Sequence, residues 1–171
     1  MTTILLFLRS VKNMVQRNIF EAGAVEVNQL FDDYLEGNSR PGACIVLALS
    51  QLPLDDSART AIEKSLVALG FDGNGCTYAT LLPAQPGTEG DDISLDAQSL
   101  FLLVEGMDPL RIISADRASS ELLASAYRAS FPLNAAVRVF GRPAVAFRDL
   151  SKLLETDDGK QKAWALFKTL A

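Results

Sequence analysis

GACIVLALSQLPLDD, residues 42–56, changes character halfway along. Its first half, 43–49, is an unbroken apolar run, short enough for a strand and too uniform for one with a wet face. Such a run is expected in a parallel sheet covered on both sides. The second half, 50–56, then lies beyond the strand's carboxyl end, where open α/β sheets keep their ligands. It reads Ser50, Gln51, Leu52, Pro53, Leu54, Asp55, Asp56, which is neither a phosphate cradle nor a catalytic set.

Outward from this stretch, strands and helices alternate. Pro53, Asp55, Asp56 and Ser57 supply turn and cap chemistry for a helix over 58–69, with Ala58, Ile62, Leu66 and Leu69 inward and Gly70 as its stop. A second strand, 76–82, follows the turn FDGNG, and 83–92, with two prolines and two glycines, reads as a long irregular loop. A helix over 95–107 is closed by Asp108-Pro109, because proline biases its predecessor out of the helical region. The third strand is 110–114, and Asp116 caps a helix reaching Arg128 whose inward residues are Leu122, Leu123, Ala126 and Tyr127. Residues 136–140 and 144–147 flank Gly141-Arg142-Pro143 as a bent strand or small hairpin. The last helix, 157–170, is expected to carry Trp164, Phe167 and Leu170 on one side.

Upstream, Ile4, Leu8, Val11, Val15 and Ile19 fall at helical spacing, and a second helical stretch runs to Leu35 with Val27, Leu30, Phe31 and Tyr34 apolar and Gly37 as its stop. These helices are expected to cover a side or edge of the sheet, or the first of them to form an arm for a partner protein. Alternating strands and helices imply right-handed crossovers and a mostly parallel sheet with helices on both faces. The expected fold is a three-layer α/β/α single domain over 1–171, with 1–37 as an N-terminal helical segment and 42–171 as the core.

Composition narrows the chemistry. A chain of 171 residues with 49% hydrophobic and 22% charged residues fits one well-packed domain. Sixteen basic against twenty-one acidic side chains give a net charge of −5, which repels polyanions unless the basic groups gather locally. Histidine is absent, which removes Ser-His-Asp and Cys-His catalysis and imidazole metal sites. Cys44 and Cys76 are too few for an all-cysteine metal site and are expected as buried free thiols in a reducing cytoplasm. Residues 4–8 are apolar but far short of the ~20 residues of a membrane span. No metal or cofactor is expected: G-x-G-x-x-G and Gly-Lys-Ser/Thr loops are missing, and Asp91, Asp92 and Asp96 read as a solvated loop and a helix start.

Four strings in order, CIVLALSQLP at 44–53, DAQSLFLLVEGMDPLRIISADRASSELLASAY at 96–127, GRPAVAFRDLSKLL at 141–154 and KQKAWALFKTL at 160–170, resemble the uracil-DNA glycosylase superfamily, most closely its short bacterial and archaeal branch. The resemblance implies a glycosylase-like fold over 42–171 and a reaction with three requirements. A Gly-rich loop after the first strand should carry a carboxylate or amide for the attacking water; here stand Ser50, Gln51, Leu52 and Pro53, and Gln51 can orient a water but cannot take a proton. An Asn at the end of the second strand should read an extruded base; here stands Thr80. A histidine before Pro-Ser should stabilise the departing uracil; here stand Phe147, Arg148 and Asp149. The four cysteines of the iron-sulfur branch are also absent. The psi subunit of the bacterial clamp loader is similar in scaffold, with a polar pair and Leu-Pro after its first strand, and it joins other proteins without doing chemistry.

The sequence reading is therefore a glycosylase-like domain with no catalytic residue, whose remnant pocket would be Ser50, Gln51, Asp55, Thr80, Arg148 and Asp149, and whose partner is another protein, in a setting of DNA replication or repair. The alternative is a divergent base-excising hydrolase using Gln51, Asp55 and Arg148, which needs a cationic track from Arg111, Arg117, Arg138, Arg142 and Arg148.

Overall fold

The computed structural model describes residues 29–36, 44–72, 75–83 and 93–171. The periodic stretch 3–20, the stop at Gly37 and most of the loop 83–92 lie outside the described residues.

In chain order the elements are a 3-10 turn Asp32–Tyr34, β1 Leu35–Glu36, β2 Val46–Ser50, α1 Asp56–Ala68, β3 Cys76–Thr80, α2 Ala97–Met107, β4 Arg111–Ser114, α3 Arg117–Tyr127, β5 Ala135–Val139, β6 Arg142–Ala146, α4 Leu150–Leu153, α5 Asp157–Phe167 and a closing 3-10 turn Lys168–Leu170. The sheet order is β1-β3-β2-β4-β6-β5. Its four central strands are parallel, and β1 and β5 run antiparallel at the two edges. The chain is thus mixed α/β with a six-stranded, mostly parallel sheet.

The apolar run does what its uniformity implied. All five residues of β2 are buried, and they alternate between two cores. Leu47 and Leu49 join Leu100, Leu103 and Val104 of α2 and Leu123 and Tyr127 of α3 on one face. Val46 and Ala48 join Ile62 and Leu66 of α1, Leu150 of α4 and Phe167 of α5 on the other. A strand whose every side chain leaves water can contribute ~1.5–3 kcal/mol for each large apolar residue, which is why this segment anchors both layers.

Local chemistry fixes most of the boundaries. Asp55, Asp96, Asp116, Asp149 and Thr156 cap α1 to α5 in turn, each accepting a hydrogen bond from a backbone N–H of the first turn. α2 ends at Asp108 in the left-handed region, just before Pro109, and Gly70 past α1 has φ +86°. The segment around Gly141-Arg142-Pro143 is the hairpin β5–β6, with Phe140 and Gly141 both at positive φ.

Two expectations need correction. The helical stretch to Leu35 gives way to the 3-10 turn, and Leu35 and Glu36 pair with Ala79 and Tyr78 at the open side of β3. That pairing is reinforced by an ion pair from Arg59 of α1 to Glu36, with the Arg59 guanidinium 4.6 Å from the Tyr78 ring centroid. In α5, the inward face is Gly159, Ala163 and Phe167, at i, i+4 spacing, while Trp164 is 37% exposed. Gly159 sets this rotation: a Cβ there would lie 1.7 Å from the Leu153 carbonyl oxygen, so α5 turns its smallest residues toward α4. In α3, Leu122, Leu123, Ala126 and Tyr127 face the core as expected, with Leu123 and Tyr127 buried and Leu122 and Ala126 partly so, and Ser119 and Ser120 are buried beside them.

Candidate functional site at the strand ends

The four parallel strands finish side by side at Thr80, Ser50, Ser114 and Ala146, in register Ser50↔Thr80, Leu49↔Ser114 and Ser114↔Ala146. Three of these four terminal residues carry hydroxyls, and all three are buried. The six residues read from the sequence as a remnant pocket all fall on this rim or in the loops that leave it.

Ser50 and Thr80 close their own exits by the same device. Ser50 Oγ donates to the Leu52 carbonyl at 2.7 Å, and Thr80 Oγ1 donates to the Leu82 carbonyl at 2.6 Å. The ladder also continues past the strands, with Leu81 N–H on Ser50 O at 2.9 Å and Leu82 N–H on Gln51 O at 3.3 Å. Neither hydroxyl is left to read a base edge. Gln51 is engaged through its backbone N–H, which donates to Asp116 Oδ2 at 2.6 Å, and the residue is exposed.

Asp55 is a cap. Its Oδ1 accepts the Ala58 N–H at 2.7 Å, and hydrogen bonds from the Ser151 hydroxyl and from the Ala58 and Ser57 amides hold its carboxyl below the usual carboxylate range. Of the residues expected to supply turn and cap chemistry, Asp55 is thus the cap and Asp56 the first residue of α1. Asp149 caps α4 through Lys152 N–H at 3.0 Å. Arg148 is exposed and tied only by its backbone, its N–H on Asn134 Oδ1 at 3.1 Å and its carbonyl accepting Arg117 N–H at 3.0 Å. Among the described residues its guanidinium has no carboxylate partner, and the neighbouring Asp149 serves as a helix cap.

The centre of the rim is a group that sequence reasoning left out. Ser114 Oγ lies 2.7 Å from both Ser119 Oγ and Ser120 Oγ, and each of those donates to the Asp116 carbonyl at 3.0 Å. The Asp116 carboxylate takes Ser119 N–H on one oxygen at 2.8 Å and Gln51 N–H on the other. One side chain thus caps α3 and clamps the loop after β2. The signal was present in ADRASS: a cap residue with a hydroxyl three positions on is a capping box.

Electrostatically, the rim is built against anions. The amino ends of α1, α3 and α4 follow β2, β4 and β6, and such ends ordinarily attract phosphate or carboxylate groups. Here the chain fills each of them with its own carboxylate, from Asp55, Asp116 and Asp149. Nor do the arginines form a track beside it. Arg111 and Arg142 begin β4 and β6 at the opposite end of the sheet, and Arg138 pairs with Pro143 there. Four residues of β4, or roughly 13 Å of extended chain, separate that end from Arg117 and Arg148. Arg142 is moreover consumed by Glu105 at 2.7 Å and Asp108 at 3.0 Å, and Arg111 stacks 4.3 Å above the Phe71 ring.

Phe147 is wholly buried and packs on Phe167, ring centroids 5.2 Å apart, whereas Leu52 is 59% exposed. A hollow of about 300 Å³ between α1 and α5, and one of about 360 Å³ beside β5, are both lined without any of the six candidates. Cys44 and Cys76 are free thiols, pushed up to about 11 and about 12 respectively by burial, and so stay protonated. Cys44 precedes β2 instead of lying in it. Among the described residues no group of three acidic, Cys or His side chains is placed to hold a metal ion, and no helix is long and apolar enough to cross a membrane.

No protein-family model and no curated protein matches the sequence.

Proposed function

We propose that the chain is a uracil-DNA glycosylase-like domain without base-excising activity, which acts by binding another protein in a setting of DNA replication or repair. One observation supports this above the others: Ser50, Thr80 and the Asp116 carboxylate, the polar groups best placed to meet a ligand at the strand ends, are each hydrogen-bonded to the chain's own backbone. A base-excising site needs unspent donors and acceptors for an extruded base and a base for the attacking water. The acidic caps and the scattered arginines add a second obstacle, since a DNA backbone needs a continuous cationic approach.

Uracil release from single- and double-stranded DNA tests the reading. The expected result is no turnover above background. Turnover that disappears in Gln51→Ala or Arg148→Ala would establish the enzyme alternative.

A further inference from the structure

β5 ends the sheet, and among the described residues no strand lies along its outer side. Its inner side is paired with β6 in the register Ala135↔Ala146, Ala136↔Val145, Val137↔Ala144, Arg138↔Pro143 and Val139↔Arg142. The connecting turn has two residues, Phe140 at φ 48° and Gly141 at φ 84°, and a turn of this kind is flanked by a mutually hydrogen-bonded pair. Bonded and unbonded pairs alternate along an antiparallel ladder. Val139, Val137 and Ala135 therefore spend their N–H and C=O groups on β6, while those of Ala136 and Arg138 point away from the sheet. Pro143 fits this phase, because its missing N–H falls in an unbonded pair.

The side chains beside this open edge are also particular. Val137 and Val139 turn into the core shared with α2 and α3, leaving Ala136 and Arg138 exposed on the other face. There they border the 360 Å³ hollow together with Pro143, Ala144 and Thr169. Arg138 donates to the Gly141 carbonyl at 2.9 Å, and among the described residues it has no carboxylate partner. The opposite edge offers nothing comparable, since β1 has two residues and its Glu36 is held by Arg59.

We propose that β5 is a docking edge for an extended segment of another protein, which adds as a seventh strand and sets a carboxylate side chain against Arg138. Main-chain bonds to Ala136 and Arg138 supply the affinity, and the hollow with the Arg138 guanidinium, which has no carboxylate partner among the described residues, selects the side chain. A second copy of this chain suits the edge less well: β5 against β5 would bring two Arg138 side chains onto one face, and a charged residue on an edge strand discourages such self-pairing. The proposal rests on the protein-binding half of the proposed function and is independent of whether a base is excised.

Panning a displayed library of random linear peptides against the full chain provides the test. The recovered peptides are expected to alternate in polarity and to carry Asp or Glu at a fixed position. Their affinity should fall roughly tenfold on Arg138→Glu, where attraction becomes repulsion. It should be lost on Ala136→Pro, which deletes an outward N–H, with the circular dichroism and thermal unfolding of both variants unchanged. Arg138→Glu carries the test alone if Ala136→Pro does not fold. Failure to recover peptides, peptides indifferent to both substitutions, or a dimer in light scattering that Ala136→Pro dissolves would each overturn the proposal. The uracil-release assay is read separately, so failure of the docking edge and failure of the non-catalytic reading are told apart.

Discussion

The rim at the strand ends and the outer edge of β5 are both places where a sheet stops, and they stop in opposite ways. At the rim every strand-terminal hydroxyl and every cap carboxylate turns back onto the chain's own backbone. At β5 the backbone groups of Ala136 and Arg138 are left facing outward. Position in the fold therefore does not by itself mark a site: the carboxyl end of a parallel sheet is the customary ligand crevice, yet here the backbone groups left open lie at an antiparallel margin.

The contrast can be broken most forcefully at Phe147. If this ring is core, Phe147→Ala should cost about 3–5 kcal/mol in urea unfolding. A cost under ~1 kcal/mol would instead mark it as a plug over an unfilled pocket, and the rim would no longer be closed. Asp116→Ala comes next. It removes a cap and frees the Gln51 N–H, so a loss of about 2 kcal/mol is expected, together with faster amide exchange at Gln51 and Ser119.

The hairpin that carries β5 is held to α2 by Arg142 and Glu105, and that link should respond to acid. Burial alone would raise the Glu105 carboxyl, but hydrogen bonds from Arg142 and Tyr127 and the charge of Arg142 outweigh it and leave it lowered. A lowered folded value means that the stabilisation is complete above the ordinary carboxylate range and is lost as pH falls through the folded value. Thermal unfolding followed from neutral to acidic pH should thus show a smaller loss in Glu105→Gln than in the natural chain. Equal losses would detach the hairpin from this pair.

Smaller effects follow at the individual hydroxyls. Ser50→Ala and Thr80→Val should each cost about 1 kcal/mol, the usual net worth of one hydrogen bond. Ala136→Pro should change stability by less than about 0.5 kcal/mol, because the N–H it deletes faces outward. Urea unfolding of the variant beside the natural chain checks this.

Much of this arrangement could be read from residue order. Uniform burial of β2, the Asp116 cap and the break at Asp108-Pro109 depend on neighbours a few positions apart, and they appear where local chemistry put them. Leu35 does not, because its strand exists only through pairing with Ala79, far along the chain. Trp164 was misplaced for a similar reason: hydropathy favoured it inward, but contact between Gly159 and Leu153 sets the rotation of α5. At the rim, Ser50, Gln51, Asp55, Thr80, Arg148 and Asp149 do lie at the carboxyl ends of the strands or in the loops leaving them. What the string of letters does not carry is which way each side chain turns, since that depends on the register Ser50↔Thr80 and on Asp116 reaching across to Gln51.

The double duty of Asp116 has an implication for anyone redesigning the molecule. Because its carboxylate satisfies donors from two separate segments, no single replacement can install a reactive group there without orphaning a backbone amide. Catalysis could be grafted onto this scaffold only by coordinated changes, with substitute acceptors introduced before the new nucleophile or base.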